Sequence, residues 1–196
     1  ASHADLQALD DVGDTLISVG QQYGVDFESQ IKNKMFIQNG SFASSVGLFD
    51  GNTPLNQKGT GSQRLLSMGL NIQASAGNTL LVIDEVESGL EPYRLRSLLN
   101  ELRTTHASSG QVIMTTHSPI AVAECTIDEL LVVQSSDGHT DVFLLKSEDA
   151  KTNTTIQAQI RKNAESFLCK RIIVCEGKTE IGFVRALDTY LAKEKN

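Results

Sequence analysis

Two adjacent carboxylates, Asp84 and Glu85, follow directly on an apolar run and are the side chains of this sequence best placed to do chemistry. The run, residues 80–83, predicts a strand buried on both faces, with the two acids at its carboxyl end. That edge is where open α/β sheets bind their ligands. Because an unpaired buried carboxylate is costly, the doublet favours a bound cation and a proton-handling role. The alternative is a helix N-cap beside a surface charge.

His117 is predicted to lie at the tip of a neighbouring strand. A second apolar strand, residues 111–115, comes after a helix-length stretch and runs into the sequence T-T-H-S-P. An imidazole there can donate a hydrogen bond to a terminal phosphate near physiological pH. The alternative is a histidine that only caps or packs, and the acidic doublet shifts the balance towards the phosphate.

A short segment rich in glycine and hydroxyl groups stands just before a predicted helix. It consists of Gly59, Thr60, Gly61, Ser62 and Gln63. Backbone N–H groups at a helix N-terminus attract phosphate, and glycine lets a ligand approach the main chain closely. The alternative is a flexible loop with a serine or threonine cap.

Two glutamates near the end of the sequence, Glu176 and Glu180, follow a predicted strand over residues 171–175. Glu176 is expected at the strand tip and Glu180 at the start of the next helix, where both can converge on one hard cation. A glutamate that interacts with the helix dipole is the equal alternative. The neighbouring G-K-T is not the end of a P-loop, since Ile172 stands where that motif needs glycine.

The composition is that of an ordinary globular protein. No stretch approaches the roughly 20 apolar residues of a bilayer span and no charged-then-apolar leader appears, so we expect a cytoplasmic location and no membrane contact. The three cysteines form no C-x-x-C pair, which argues against a zinc site or a disulfide framework.

The net charge of −7 argues against a chain coated with nucleic-acid-binding surface. One basic cluster reverses the local balance, and its residue types favour a solvated helix face with flanking charges, with a contact to a phosphate backbone as the alternative. The cluster consists of Arg161, Lys162, Lys170, Arg171 and Lys178.

The order of elements predicts an α/β fold with a mostly parallel sheet flanked by helices. Helices are predicted over residues 5–22, 26–35, about 65–76, 92–106, 119–125 and 180–192, with a further one that ends near Phe167. Strands are predicted within residues 36–49 and over 80–83, 111–115, 129–134, 141–145 and 171–175. The polar stretch 147–155 is the predicted boundary between two domains, residues 1–150 and 151–196.

In combination these motifs resemble the ATP-binding-cassette type of ATPase head of structural-maintenance-of-chromosomes, recombination-repair and overcoming-lysogenisation-defect proteins. The segment T-T-H-S-P matches the switch-histidine segment, and residues 58–64 are similar to a divergent signature motif. The pattern D-E-x-x-S-x-L-D/E, a Walker B motif with its D-loop, is matched by Asp84, Glu85, Ser88, Gly89, Leu90 and Glu91.

The resemblance implies an ATP site that is completed across a dimer of heads. ATP and Mg²⁺ would be its cofactors, with Asp84 near the metal, Glu85 as the base that orients water, and His117 as the γ-phosphate sensor. Residues 59–63 and the D-loop residues 88–89 would contact the nucleotide held by the opposite subunit. A homodimer or higher oligomer through the head is therefore expected.

Residues 171–180 are similar to the opening strand and turn of a Toprim domain, whose first glutamate is a catalytic metal ligand. A head followed by Toprim resembles the overcoming-lysogenisation-defect family, ATP-dependent nucleases of bacteria and phages. This implies DNA as substrate, Mg²⁺ or Mn²⁺ bound by Glu176 and Glu180, and a second defence protein as a further partner. The sequence contains neither a P-loop nor the later D-x-D of Toprim, so we expect this chain alone to be inactive.

Two other functions are compatible with the same residues. One is an ATP-gated DNA-binding clamp or defence sensor without nuclease activity, in which the Toprim element is structural. The other is a regulatory fragment that pairs with a P-loop-bearing partner.

Overall fold

The computed structural model of this chain describes residues 3–37, 44–74, 79–106 and 110–194. The α-helices in these ranges are α1 (His3–Gln22), α2 (Thr60–Ala74), α3 (Pro92–His106), α4 (Pro119–Glu124), α5 (Ala150–Lys162) and α6 (Lys178–Glu194). The strands are β1 (Ile31–Ile37), β2 (Ser44–Asp50), β3 (Thr53–Pro54), β4 (Thr79–Ile83), β5 (Gly110–Met114), β6 (Leu131–Ser136) and β7 (His139–Leu144). Short 3-10 turns lie at Leu55–Gln57, Ile127–Glu129 and Ala164–Leu168.

The strands in the described part of the chain form three small sheets. β1, β2 and β3 make an antiparallel sheet, and β6 pairs with β7 as an antiparallel hairpin. β4 and β5 pair in parallel, in register from Thr79 opposite Gly110 to Ile83 opposite Met114. The predicted α/β fold is confirmed. The prediction of a mostly parallel sheet is wrong for the described residues, because antiparallel pairing between sequence neighbours supplies most of the strand contacts.

The main hydrophobic core packs α1, α2 and α3 against one face of the β4–β5 pair. Its buried side chains recur at helical spacing, as Leu95, Leu98, Leu99 and Leu102 do along α3. Because these leucines face inward, α3 lies over the parallel strands and fixes the end of the loop that follows β4. A second, smaller core joins α4, the following 3-10 turn and α5. Its buried residues are Val122, Ile127, Ile160 and Ala164.

The strand that precedes the acidic doublet is covered on one face only. Ile83 is buried, whereas Leu80 and Val82 are 59% and 67% exposed. The prediction that residues 80–83 are buried on both faces is therefore wrong. Successive strand side chains point to opposite faces, and the core helices cover only one of those faces.

Two predicted elements adopt other conformations. Residues 26–35, predicted as a short helix, lead into β1, because Ile31–Ile37 pairs with β2 and ladder formation overrides the local preference. Residues 171–175, predicted as a strand, have no strand partner among the described residues, and Val174 is 91% exposed. Part of the strand region predicted within 36–49 and the end of the helix predicted to about 76 lie outside the described residues.

Most of the other predicted elements are confirmed within a few residues, among them α1, α3, α4, α6 and the strands β6 and β7. α5 begins inside the polar stretch 147–155, earlier than predicted, because the Asp149 side chain accepts a hydrogen bond from the Thr152 amide and caps the helix. It ends at Lys162 rather than near Phe167, and a separate 3-10 turn follows. α2 begins earlier than predicted, at Thr60, so residues 60–63 form its first turn. In the described ranges, no helix combines the length and apolar character that crossing a bilayer would require.

Candidate functional site

The ends of β4 and β5 continue side by side beyond the last ladder pair. The Thr115 amide donates to the Ile83 carbonyl at 2.9 Å, and the Val86 amide donates to the Thr115 carbonyl at 3.0 Å. The loop after β4 and the loop after β5 therefore leave the sheet at one edge. The prediction that the acidic doublet and the T-T-H-S-P segment follow neighbouring strand tips is confirmed. We call residues 84–89 and 115–118 the rim.

Thr115 orients the acidic doublet. Its hydroxyl donates to Asp84 Oδ1 at 2.5 Å and accepts from the Glu85 amide at 2.8 Å. Both carboxylates are exposed, so the premise that they are buried is wrong. Glu85 has a φ of 47°, a left-handed conformation that costs a non-glycine residue about 1–3 kcal/mol. The hydrogen bond from its amide to Thr115 holds the residue in this turn.

Glu87, which the sequence did not single out, connects the two halves of the rim. Its carboxylate accepts from the Thr116 hydroxyl and from the His117 amide, each at 2.6 Å. Burial acts to raise the pKa of Glu87, but these hydrogen bonds outweigh burial and hold the pKa below its usual value. Glu87 is therefore an ionised acceptor that joins the loop after β4 to the segment carrying His117.

His117 is exposed at the rim, directly before α4. The Ser118 side chain caps that helix by accepting from the Ile120 and Ala121 amides at 3.2 and 3.5 Å. The backbone of His117 is thus fixed on one side by Glu87 and on the other by the start of a helix. Its imidazole remains open to solvent, where it can meet a ligand.

Arg64, on α2, holds the loop after β4 from the opposite side. Its guanidinium donates to the carbonyl oxygens of Asp84 at 2.6 Å, Glu85 at 2.8 Å and Ser88 at 3.2 Å. Three backbone acceptors on one side chain make α2 and the rim a single unit. The sequence placed Arg64 at the end of a motif but gave no sign of this contact, because backbone carbonyls leave no pattern in a sequence.

The glycine-rich first turn of α2 lies against the D-loop-like part of the rim. A Cβ on Gly61 would stand 2.2 Å from the Gly89 carbonyl oxygen, so only glycine permits this approach. Ser62 accepts from the Arg94 guanidinium at 2.9 Å, and Gln63 donates to the Lys58 carbonyl at 2.7 Å. The structure therefore brings Thr60 and Gly61 against Gly89, while contact of residues 59–63 and 88–89 with a nucleotide stays a prediction.

A buried ion pair anchors the segment that leads into α2. Asp50 is 1% exposed, and its carboxylate lies 2.7 Å from Lys58 Nζ. The same carboxylate accepts from the Glu28 and Ser29 amides at 3.0 and 2.9 Å. Burial acts to raise the pKa of Asp50, but Lys58 and these two amides outweigh it and lower the pKa. The carboxylate therefore ties the end of β2 to the residue that opens the glycine-rich segment.

Glu176 and Glu180 belong to none of the strand ladders that the described residues form. Glu176 precedes α6, and Glu180 is in its first turn with Oε2 3.3 Å from where a Cβ on Gly177 would stand. The predicted strand tip is absent because residues 171–175 are unpaired. The pairing of these two glutamates around a cation stays a prediction.

The chemistry of the rim is compatible with Mg²⁺ that arrives with a nucleotide. Mg²⁺ keeps several waters and takes one or two carboxylates together with phosphate oxygens, and Asp84 offers an exposed, oriented carboxylate. Within the described ranges, no group of three or more histidine, cysteine, aspartate or glutamate side chains is placed to hold a metal by itself.

Comparison with known proteins assigns the family. Residues 9–123 match the family described as "AAA domain, putative AbiEii toxin, Type IV TA system", and the chain belongs to this family of ATPase domains. The chain is 27% identical over 150 residues to the Old nuclease of Escherichia phage P2. That alignment covers 68% of this chain and 26% of the nuclease, so the chain spans about a quarter of the relative's length.

A solved structure also aligns with the chain. It comes from work on ATP-driven dimerization and DNA-stimulated activation of SMC ATPases, and the alignment covers 79% of this chain and 98% of that chain. The TM-score is 0.43 and the sequence identity is 16%.

Proposed function

We propose that this chain supplies the acidic, switch-histidine and signature-like parts of an ATP-hydrolysing site. The observation that carries the proposal is the hydrogen-bonded rim, where Thr115 orients Asp84 and Glu87 holds the His117 backbone. Membership of an AAA-type family supports ATP as the nucleotide.

In this proposal the rim residues have separate tasks. Asp84 holds Mg²⁺, which would neutralise charge on the phosphates when bound. The Glu85 carboxylate accepts a proton from the attacking water and orients it, as a general base at the end of a strand. His117 donates a hydrogen bond to the terminal phosphate. The hydrogen bonds that Thr115, Glu87 and Arg64 make to the backbone of these loops would hold the three residues in position before the nucleotide arrives.

The second half of the proposed site comes from another copy of the chain. The first turn of α2 offers exposed Thr60 beside exposed Gly89, and exposed Gly59 directly precedes that turn. In the proposal this shared surface contacts the nucleotide held by a P-loop of the opposite subunit, in a homodimer or higher oligomer.

For the intact protein we propose ATP-dependent cleavage of DNA. The support is the 27% identity to a protein named Old nuclease, together with the acidic pair Glu176 and Glu180. In this proposal residues 1–150 belong to the ATPase head and residues 151–196 begin the nuclease domain. The two glutamates would bind Mg²⁺ or Mn²⁺, and a second defence protein would be a further partner.

The test is Glu85→Gln in the protein that carries this chain together with a P-loop. We expect ATP turnover to fall at least about 100-fold, since a general base contributes roughly 10²–10⁴, while ATP still binds. Glu148→Gln, at an exposed glutamate outside the rim, is the control and should keep full turnover. Retained turnover in Glu85→Gln would remove Glu85 from the mechanism.

In the same protein, Glu176→Ala should abolish plasmid nicking in Mn²⁺ and leave ATP turnover intact.

A further inference from the structure

A basic groove lies where the family-matched part of the chain meets the residues that follow it. The groove has a volume of about 650 Å³, is open to solvent, and is bordered by α3, α4, the end of α5 and residues 169–173. Its lining carries four cations and one carboxylate, in a chain whose net charge is −7. These charged residues are Arg96, Arg161, Lys162, Arg171 and Glu165.

Three of the four cations have no ion-pair partner among the described residues. Arg96 is neutralised by Glu124, with 2.7 Å between Arg96 Nε and Glu124 Oε1. Arg161, Lys162 and Arg171 are exposed, and within the described ranges none of them lies within ion-pairing distance of a carboxylate. The groove therefore carries three cations without an ion-pair partner in the described part of the chain and one carboxylate, Glu165, in a chain that is acidic as a whole.

A solvated helix end accounts for only two of the three cations in the groove that have no ion-pair partner among the residues described. Arg161 and Lys162 are in the last turn of α5, where basic residues interact favourably with the helix dipole. Arg171 belongs to no helix or strand, yet it lines the same groove as the two helical cations. Arg171 therefore adds a third cation to this groove from outside the helix.

We propose that this groove binds the sugar-phosphate backbone of a nucleic acid strand. Phosphates would contact Arg161, Lys162 and Arg171, and the sugars would lie on the apolar floor formed by Pro119, Ile120 and Ala123. An open groove lets a polymer pass through, whereas a small ligand is usually enclosed. The inference rests on the proposed DNA-directed function and locates the strand on this chain.

The groove is structurally connected to the rim. Its floor is α4, and Ser118, which caps that helix, directly follows His117. A strand in the groove therefore lies against the helix that fixes one side of the switch-histidine segment.

The experiment measures binding of fluorescein-labelled (dT)20 to the full 196-residue chain by fluorescence anisotropy, without nucleotide and in EDTA. NaCl is varied between about 50 and 200 mM, because each phosphate contact on a single strand contributes roughly 0.7 to the slope of log affinity against log salt. We expect the double variant Arg161→Gln/Lys162→Gln to weaken binding at least about tenfold. The salt dependence should also become shallower, with the magnitude of the slope reduced by about 1.4. Arg171→Gln should reduce the magnitude of this slope by about 0.7.

Lys151→Gln is the matched control, because Lys151 is an exposed cation at the opposite end of α5. It should bind (dT)20 as the wild type does. The proposal is overturned if the groove variants bind as the wild type, if Lys151→Gln loses as much affinity as they do, or if wild type shows no binding at tens of micromolar protein. Equal affinity for fluorescein-labelled poly-glutamate would also overturn it, since the groove would then recognise any polyanion.

Each groove variant replaces an exposed side chain, and circular dichroism confirms that the helices are retained. Should the double variant lose structure, the Arg171→Gln slope alone decides the outcome. Because the assay contains neither ATP nor metal, its failure says nothing against hydrolysis at the rim. Failure of the Glu85→Gln test, in turn, leaves the binding result unchanged.

Discussion

At the scale of single residues, the rim depends on side chains that bond to backbone atoms. Thr115, Glu87 and Arg64 each contact main-chain groups of the loops that carry the proposed chemistry. None of the three needs to contact a ligand in order to position these loops. Their removal should alter the position of Glu85 or His117 rather than the chemistry of either group.

Glu87→Gln should destabilise the chain in a pH-dependent way. Since the folded pKa of Glu87 is lowered, its stabilising contribution is present above the unfolded pKa and is lost as pH falls through the folded value. We expect a loss of about 1.5–3 kcal/mol in unfolding free energy at pH 7, the usual size for hydrogen bonds to a charged group. Urea unfolding from pH 7 down to about 3 should show the difference from wild type shrinking below about pH 4. A difference that is constant over this range would contradict ionisation of Glu87 as the cause.

Gly61→Ala should disturb the contact between α2 and the rim, because the new Cβ would stand 2.2 Å from the Gly89 carbonyl oxygen, which is a backbone atom and not the end of a flexible side chain. A loss of about 1–3 kcal/mol in unfolding free energy is expected, as for other overpacked sites. Gly59→Ala is the control, since a Cβ there meets no atom within 4 Å. Urea unfolding curves that coincide for the two variants would refute the close contact.

At the scale of elements, the buried carboxylate of Asp50 joins the end of β2 to the approach to α2. Asp50→Asn would leave Lys58 without its carboxylate partner and with only the Asp26 carbonyl, among the described residues, as a hydrogen-bond acceptor, and breaking a buried ion pair on one side costs roughly 3–5 kcal/mol. Asp128→Asn is the control, because the Lys146–Asp128 pair is 60% and 57% exposed and such pairs contribute about 0–1 kcal/mol. Equal losses of unfolding free energy for the two variants, measured by chemical denaturation, would show that the Asp50 pair contributes no more than an exposed ion pair.

The elements that the sequence predicted well are those with strong local patterns. The leucines of α3 repeat at helical spacing, and the turn between β6 and β7 carries Asp137 and Gly138, both with positive φ. Residues 26–35 were predicted wrongly because β1 exists through its pairing with β2, a long-range contact that local propensity does not contain.

The rim was predictable in outline and not in detail. The strand–helix–strand order placed Asp84 and His117 at neighbouring strand tips, since parallel strands end at one edge. Arg64 and Glu87 were missed because their hydrogen bonds span 20 to 30 residues and end mostly on backbone atoms. Partners of that kind become visible only once the chain is folded.

At the scale of the whole molecule, packing is uneven along the chain. The main core draws on residues from α1 to α4, and the second core draws on residues from α4 to the last 3-10 turn. Beyond these, residues 171–194 leave most of their apolar side chains in solvent, with Ile173 70% and Phe183 67% exposed. Burial of apolar surface is the main source of stability, so this segment should contribute little to the fold of the rest.

Deletion of residues 171–196 should therefore leave the thermal unfolding midpoint within about 2 °C of the full chain, because roughly 1 kcal/mol corresponds to about 2–4 °C for a chain of this size. Ile160→Ala is the contrasting variant: Ile160 is fully buried in the second core, and its truncation should cost about 2–5 kcal/mol and several degrees. Differential scanning calorimetry compares the three proteins at one concentration. A fall in the deletion variant as large as that of Ile160→Ala would mean that residues 171–194 pack against the two cores in solution. In that case the apolar side chains of residues 171–194 would be buried in a core shared with the rest of the chain.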